Sequence, residues 1–193
     1  MSKTDFMEYR EGMEKIDSDI MDRVLSEVSD YDYNVYNKGD VLRVLDKEYL
    51  NHQDLKVLLS KAAENFLEPM AKKAKIETMK HFGNSVCLFT PLYIANYCEN
   101  ECVYCGFNCK NKIKRGKLNY DEIEKEMETI AKSGLKEILI LTGECRGQSN
   151  VKYIGEAVKI AKKYFSTIGI EIYPLNSDEY NFLRERGADF VSV

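Results

Sequence analysis

The sequence predicts an α/β chain in which an N-terminal helical extension precedes a parallel sheet of about four strands. From residue 85 onward, apolar runs of strand length alternate with helical segments and short loops, which is typical of βα units. The run Ile-Leu-Ile-Leu within 137–142 is apolar on both faces, as expected for a parallel strand that is buried on both sides. Before residue 85, apolar residues recur at helical spacing instead.

The N-terminal extension, residues 1–83, is predicted to contain a helix over 17–28 and a shorter helix that Asp40 caps. We expect the first helix to pack on the domain through one apolar face, formed by Ile16, Ile20, Val24, Leu25 and Val28. A helical pair over 52–82 follows, and Gly83 stops it. Apolar residues that recur at helical spacing form a core more often than a cofactor site, so we interpret those of this pair as core. They are Leu55, Leu58, Leu59, Ala62, Ala63, Phe66, Met70, Ala71, Ala74, Ile76, Met79 and Phe82.

The second part, residues 84–193, is predicted to hold four strands and three helices. The strands are expected over 86–94, 137–142, 168–173 and 189–193, and the helices over 120–133, 151–165 and 177–186. Asn119 and Ser177 are candidate N-caps, and Gly187 is expected to end the third helix. No helix follows the fourth strand, so we expect a truncated chain with exposed sheet edges that favour a partner.

Composition is that of a soluble globular protein, with 44% hydrophobic and 31% charged residues in 193. The net charge of −4 gives no general support for nucleic acid or an anionic membrane surface as a partner. No apolar stretch reaches the length of a membrane span, and the N-terminus lacks the apolar core of a signal peptide. We therefore expect a cytoplasmic protein whose clustered cysteines bind metal rather than form disulfides.

Four of the six cysteines fall within twelve residues. Cys98, Cys102 and Cys105 have the spacing C-x3-C-x2-C, and Cys109 follows. Thiolates on one loop suit an iron–sulfur cluster or zinc, and three of them can hold three irons of a [4Fe–4S] cube and leave the fourth iron open. The alternatives are a structural zinc site that adds Cys109 and, less favoured, a disulfide framework.

These residues resemble the signature of the radical S-adenosylmethionine (radical SAM) superfamily, in which an aromatic residue, here Tyr104, precedes the third cysteine. A longer set of segments resembles 2-iminoacetate synthase, the tyrosine lyase of thiamine biosynthesis: Pro91-Leu-Tyr-Ile-Ala-Asn-Tyr-Cys98, Cys102-Val-Tyr-Cys-Gly-Phe-Asn108, Ile113-Lys-Arg115 and Leu141-Thr-Gly-Glu144. The tyrosine lyase that matures [FeFe]-hydrogenase shares most of them. The resemblance implies that the chain forms about the first half of a (β/α) TIM-type barrel.

The resemblance further implies that Cys98, Cys102 and Cys105 bind a [4Fe–4S] cluster whose open iron takes the amino and carboxylate groups of S-adenosylmethionine. The implied reaction removes a hydrogen atom from tyrosine and cleaves its Cα–Cβ bond to 2-iminoacetate (dehydroglycine) and p-cresol. Two alternatives stay open: the hydrogenase-maturing tyrosine lyase, and a non-catalytic iron–sulfur or zinc-binding fragment.

Four further residues are candidate cofactor contacts, the first three on the same resemblance and the fourth from its place on the third strand. Tyr104 is assigned to the adenine, with plain packing as the alternative. Gly143 and Glu144, after the second strand, match the motif that receives the methionyl ammonium, and glycine allows close backbone approach. Glu171, which could face the barrel interior together with Tyr173, is a buried-carboxylate candidate for cofactor or substrate contact, with an outward glutamate as the alternative.

Expected partners are the substrate tyrosine, an electron donor such as flavodoxin or ferredoxin, and either a thiazole synthase or a second chain that completes the barrel. A basic run is interpreted as a solvated face, with donor docking as the functional alternative: Lys110, Lys112, Lys114, Arg115 and Lys117. Cys87 is predicted to be a buried small hydrophobe. Cys145 lies beside Glu144 without an assigned role, and His52 and His81 are expected at the surface or in packing rather than on a metal.

Overall fold

The structure is a computed structural model that describes residues 11–193. The chain divides into two compact units: one is Ile16–Val86, and the other joins the stretch up to Lys15 with Cys87–Val193. Within residues 11–193, no helix combines the length and the apolar character that a membrane crossing requires.

The unit Ile16–Val86 is helical. Its elements are helices α1 (Ile20–Ser29), α2 (Lys38–Asp46) and α3 (His52–Leu58), a 3-10 helix (Lys61–Phe66) and helix α4 (Leu67–Phe82). Gly83, with a φ of +60°, follows the last residue of α4, so the predicted helix stop is confirmed.

Two asparagines begin α2 and α3 in the same way. The side chain of Asn37 accepts hydrogen bonds from the main chain of the first turn, and Asp40 accepts from the Asn37 main-chain amide at 2.8 Å. Asn51 and Asp54 repeat this reciprocal pair at the start of α3. The prediction that Asp40 is the N-cap is therefore wrong, because Asn37 caps the helix and Asp40 completes the capping box three residues later.

The core of this unit is small, and it consists of Val41, Val44, Val57 and Ala63 with partly buried neighbours. Helix α1 buries none of its residues, so the expected packing of its apolar face is wrong. The core prediction is also wrong for seven residues that are exposed: Leu55, Leu59, Ala71, Ala74, Ile76, Met79 and Phe82. A unit of this size has too few elements to cover every apolar row, because small units bury a smaller fraction of their surface.

The larger unit contains a four-stranded parallel sheet in the order β1-β2-β3-β4. The strands are β1 (Phe89–Ala95), β2 (Glu137–Thr142), β3 (Thr167–Glu171) and β4 (Phe190–Ser192), and the helices between them are α5 (Tyr120–Lys132), α6 (Val151–Ala161) and α7 (Ser177–Arg186). Parallel pairing follows the chain order from β1 to β4. The predicted fold class, a partial and unclosed barrel after a helical extension, is confirmed.

The core of the larger unit lies between one face of the sheet and the helices. Fully buried side chains from both layers form it: Ile94, Ile140 and Ile170 from the strands, and Ile123, Met127, Ile154, Val158 and Leu183 from the helices. Asn119 caps α5 as predicted, whereas Asn176 rather than Ser177 caps α7. Gly187 ends α7 in the left-handed region at φ +111°, as predicted.

The opposite face of the sheet carries one row of residues in register near the carboxyl ends of the strands. Tyr93 pairs with Leu141, Leu141 with Glu171, and Glu171 with Ser192. Because side chains alternate along a strand, this row points away from the helix-covered core. The active sites of (β/α) barrels lie at this carboxyl end.

Candidate functional site

The loop after β1 and the turn after β2 meet at the carboxyl edge of the sheet. The main-chain amide of Glu99 donates to the carbonyl of Glu144 at 2.9 Å, and the amide of Gly143 donates to the carbonyl of Ala95 at 3.2 Å. The side-chain amide of Asn100 also donates to the Glu144 carboxylate. The structure therefore brings together the two motifs that lie about forty residues apart in the sequence.

Gly143 lies directly against the start of the cysteine loop. A Cβ atom at this position would lie 2.3 Å from the main-chain oxygen of Tyr97 and 3.0 Å from the Cβ of Cys98. Any side chain there would displace the start of the cysteine loop. Gly143 thus allows close approach of the cysteine loop, and its assignment to the methionyl ammonium stays a prediction.

The three candidate metal ligands lie on one loop and are buried to a similar extent. Cys98, Cys102 and Cys105 are half-buried, whereas Cys109 is exposed. All six cysteines are free thiols. Two main-chain bonds shape the loop: the amide of Cys105 donates to the carbonyl of Cys102 at 3.1 Å, and the amide of Cys109 donates to the carbonyl of Asn100 at 2.9 Å.

The donor set consists of three half-buried thiols on one loop, which is the number of cysteine ligands that a [4Fe–4S] cluster with one open iron uses. Among residues 11–193, no group of three or more His, Cys, Asp or Glu side chains is arranged to hold one metal ion. A structural zinc site needs its four ligands about 2.0–2.3 Å from one ion, and the zinc alternative that adds Cys109 stays open. A [4Fe–4S] cube makes a different demand, because each cysteine sulfur binds its own iron.

The basic run after the cysteines is not a uniform solvated face. Lys110 forms an ion pair with Glu101, and this hydrogen bond raises the pKa of Lys110. The ammonium of Lys117 lies 4.2 Å from the ring centroid of Tyr153. Arg115 is half-buried, and its guanidinium donates only to main-chain carbonyl oxygens in the contacts that the described residues give it.

The role of Arg115 was missed in the sequence because charge alone suggests solvent. The one available signal was its place in the segment Ile113-Lys-Arg115, which carries part of the family resemblance. A guanidinium offers five donors in a fixed fork, so it can satisfy several carbonyls at once where a lysine cannot.

The aromatic residues of the loop, Tyr104 and Phe107, differ in solvent exposure. Tyr104 is 89% exposed, so the packing alternative for this residue is wrong, and its assignment to the adenine stays a prediction. Phe107 packs edge-on against Tyr93, with ring centroids 5.3 Å apart. This contact joins the cysteine loop to the face of the sheet that points away from helices α5, α6 and α7, which we call the helix-free face.

Glu171 and Tyr173 are separated by the end of β3. Glu171 is the last residue of the strand and is exposed, so the structure does not show the buried carboxylate that the sequence suggested. Tyr173 is buried beyond the strand, where its hydroxyl donates to the carbonyl of Ser149 at 2.6 Å. The expectation that the two side chains share one environment is wrong, because the alternation of a strand does not extend past its last residue.

Tyr173 supports the segment after β2 through the bond from its hydroxyl to Ser149. Burial raises its pKa to about 12. The guanidinium of Arg146 lies 4.8 Å from the Tyr173 ring centroid and pairs with Glu179 of α7 at 3.1 Å. The buried hydroxyl of Ser149 donates to the carbonyl of Cys145 at 3.2 Å. Together these contacts tie the Gly143–Glu144 turn to α7.

The two remaining cysteines differ in their surroundings. Cys87 is exposed, so the prediction of a buried small hydrophobe is wrong, since β1 begins only at Phe89. Cys145 is half-buried beside the candidate site, and burial raises the pKa of its thiol. The His52 and His81 side chains lie at the surface, as expected.

Comparison with known proteins places these features in a family. Residues 92–193 match the Radical SAM superfamily. The 2-iminoacetate synthase of Salmonella typhimurium is 38% identical over 155 residues, which cover 80% of this chain and 41% of that protein. The 3-methylornithine synthase of Methanosarcina barkeri is 30% identical over 155 residues, covering 78% of this chain and 44% of that protein.

A solved structure agrees with the fold. The [FeFe]-hydrogenase maturase HydG from Carboxydothermus hydrogenoformans superposes with a TM-score of 0.76 at 23% identity, covering 89% of this chain and 41% of that one. The chain thus spans about two fifths of the length of the relatives that it matches. Enzymes of the matched superfamily use a [4Fe–4S] cluster and S-adenosylmethionine. The match over more than half of the chain shows that this protein belongs to the radical SAM superfamily.

Proposed function

We propose that this chain supplies the cofactor-binding part of a radical SAM lyase that cleaves the Cα–Cβ bond of tyrosine, as in 2-iminoacetate synthase. The observation that supports this most is the direct hydrogen bonding between the cysteine loop and the Gly143–Glu144 turn at the carboxyl edge of the sheet. The two motifs that the family uses for its two cofactors are therefore neighbours in this chain.

In this proposal, Cys98, Cys102 and Cys105 hold the cluster through three thiolates. When bound, the cluster and S-adenosylmethionine supply a one-electron reductive cleavage. The chain contributes orientation: one loop carries the three half-buried cysteines, and the exposed ring of Tyr104 provides a surface for the adenine.

The turn after β2 is proposed to receive the ammonium group of S-adenosylmethionine. The Glu144 carboxylate carries the negative charge that a cation favours, and Asn100 orients it. The carbonyl of Gly143 accepts a bond from the Thr142 hydroxyl at 2.8 Å and lies 3.4 Å from the Ser149 hydroxyl, so the Glu144 carboxylate is the proposed acceptor for the ammonium.

The substrate is proposed to lie over the helix-free face of the sheet. Tyr93, held by Phe107, and Glu171 share one row of that face near the strand ends. Tyrosine is the proposed substrate because the identity to 2-iminoacetate synthase, 38%, exceeds that to 3-methylornithine synthase, 30%, over similar shares of the chain. The alternative is a tyrosine lyase of hydrogenase maturation, for which the likeness to HydG supports the fold alone.

The partners in this proposal are a one-electron donor and a product acceptor. Exposed Lys112 and Lys114, beside the cysteine loop, provide positive charge for an acidic donor such as flavodoxin or ferredoxin. A thiazole synthase would receive 2-iminoacetate. We also propose that residues 84–193 act as the first half of the barrel domain, residues 1–83 as its extension, and the cytoplasm as their compartment.

Anaerobic reconstitution with iron and sulfide tests the proposal. We expect a reduced-cluster EPR signal that changes when S-adenosylmethionine is added, and 5′-deoxyadenosine after reduction with dithionite. With tyrosine present, p-cresol would support the lyase assignment. Cys98→Ala should abolish the signal, whereas Cys109→Ala should keep it. Bound zinc without a cluster, or equal loss in both variants, would overturn the proposed site.

A further inference from the structure

The cysteine loop closes at its base through main-chain and amide contacts. The amide of Asn96 donates to the carbonyl of Gly116 at 3.1 Å, and the amide of Gly116 donates back to the Asn96 side chain at 2.7 Å. The Asn96 side chain also donates to the carbonyl of Lys114 at 3.0 Å. Residues 97–113 thus form a loop whose two ends are fixed side by side, with Arg115 at the closing point.

From this base, the Arg115 guanidinium reaches into the loop. One terminal nitrogen donates to the carbonyls of Asn96 at 2.7 Å and Phe107 at 2.8 Å. The other donates to the carbonyls of Asn108 at 2.7 Å and Asn111 at 3.4 Å. Asn96 precedes Cys98 by two residues, and Phe107 follows Cys105 by two, so one side chain joins both flanks of the cysteine segment.

The bonds on the far flank continue toward the cysteines. The amide of Asn108 donates to the carbonyl of Cys105 at 3.1 Å, and its side chain donates to the carbonyl of Cys102 at 3.1 Å. Asn111 donates from its side chain to the carbonyls of Cys105 and Gly106. Arg115 therefore acts on the second and third cysteines through two asparagines that it holds itself.

We propose that Arg115 is a positioning residue that sets the spacing of Cys98, Cys102 and Cys105 before any cluster is present, and that its charge favours the reduced cluster. The effect of the Arg115 charge on the reduced cluster rests on the proposed function, whereas the positioning role does not. The acceptors are neutral carbonyls, so the positive charge is not cancelled by the groups that hold it. A reduced cluster is more negative than an oxidised one, and nearby charge tunes its potential.

The first test uses the apo chain, so it does not depend on the cluster. Arg115→Gln removes both the guanidinium donors and the positive charge, whereas Arg115→Lys keeps the charge but loses the guanidinium geometry. Lys114→Gln, which removes a neighbouring exposed charge, is the control. We expect both Arg115 variants to exchange the amide hydrogens of Cys105, Asn108 and Cys109 about tenfold faster or more, because charged hydrogen bonds are lost. Lys114→Gln should exchange like the unmodified chain, and the amides of α6 should not change in any variant.

The second test uses the reconstituted chain. We expect Arg115→Gln and Arg115→Lys to retain less iron than Lys114→Gln after gel filtration. In the molecules that hold a cluster, the midpoint potential of Arg115→Gln should be more negative than that of Arg115→Lys, a difference that loop geometry alone does not produce.

The outcomes separate this inference from the proposed function. Exchange in Arg115→Gln and Arg115→Lys that equals Lys114→Gln would overturn the positioning role, even if the unmodified chain binds a cluster normally. If both Arg115 variants exchange faster but the unmodified chain never holds iron, the loop role of Arg115 is supported and the cluster site is overturned. Circular dichroism of each apo variant checks that the fold is retained, and Arg115→Lys serves if Arg115→Gln does not fold.

Discussion

The side-chain amide of Asn100 donates to the Glu144 carboxylate, so a residue between two candidate ligands holds the carboxylate of the β2 turn. The neighbouring main-chain bond from Glu99 to Glu144, at 2.9 Å, is independent of both side chains. The side-chain contact can therefore be removed while the two segments stay joined.

A double-mutant cycle should detect this contact. We expect Asn100→Ala and Glu144→Ala each to lower the free energy of unfolding, with a coupling of about 0.5–1 kcal/mol, because hydrogen bonds at exposed positions contribute modestly. Urea unfolding of the apo chain measures it. In the reconstituted chain, Asn100→Ala should weaken S-adenosylmethionine binding without reducing iron content. Purely additive single changes would mean that the contact contributes nothing.

Gly143→Ala should be strongly destabilising. The added Cβ would lie 2.3 Å from the Tyr97 oxygen, so either the turn or the cysteine loop must move. We expect a loss of about 1–3 kcal/mol in the free energy of unfolding, the range for overpacked sites. Gly147→Ala is the matched control, because no atom lies within 4 Å of a Cβ there. Equal urea midpoints for the two variants would contradict the close approach.

Tyr173→Phe should cost about 1 kcal/mol near neutral pH, since the buried hydroxyl loses its bond to Ser149. Burial raises the folded-state pKa of Tyr173 to about 12, above the unfolded value of about 10. The stabilisation is therefore complete below about pH 10 and is lost as the pH rises toward about 12. Thermal unfolding of both chains from pH 8 to 11.5 should show their difference shrinking above about pH 10. A difference that stays constant would contradict the shift.

Asp54 in the helical unit should give acid sensitivity. Its carboxylate accepts from the Lys47 ammonium at 2.6 Å and from the Asn51 main-chain amide at 3.0 Å, and these bonds lower its pKa. Because the folded-state pKa of Asp54 lies below the unfolded value of about 3.9, the ionised carboxylate stabilises the folded unit above about pH 3.9. This stabilisation is lost as the pH falls from about 3.9 through the folded-state pKa. Amide exchange in α3 should be faster in Asp54→Asn than in the exposed control Asp46→Asn at pH 6. At pH 3 the difference between the two variants should narrow.

The local signals in the sequence were sufficient for the fold class and for the meeting of the β1 and β2 loops at one edge of the sheet. The alternation of strands and helices predicts the parallel sheet, and the bounds of β2 agree residue for residue with Glu137–Thr142. Since parallel strands end at one edge, the same pattern places Cys98 and Gly143 together. These inferences succeed because hydrophobic periodicity and loop position depend on neighbours in the chain.

The tertiary structure decided which polar and apolar side chains find partners. Arg115 looks like one charge in a basic run, and only the folded loop shows that it binds carbonyls on both flanks of the cysteines. Leu59 and Phe82 look like core, yet they are exposed because the elements around them do not cover them. Periodicity and composition give each residue a preference, whereas burial and hydrogen bonding depend on distant segments, which the chain positions only when it folds.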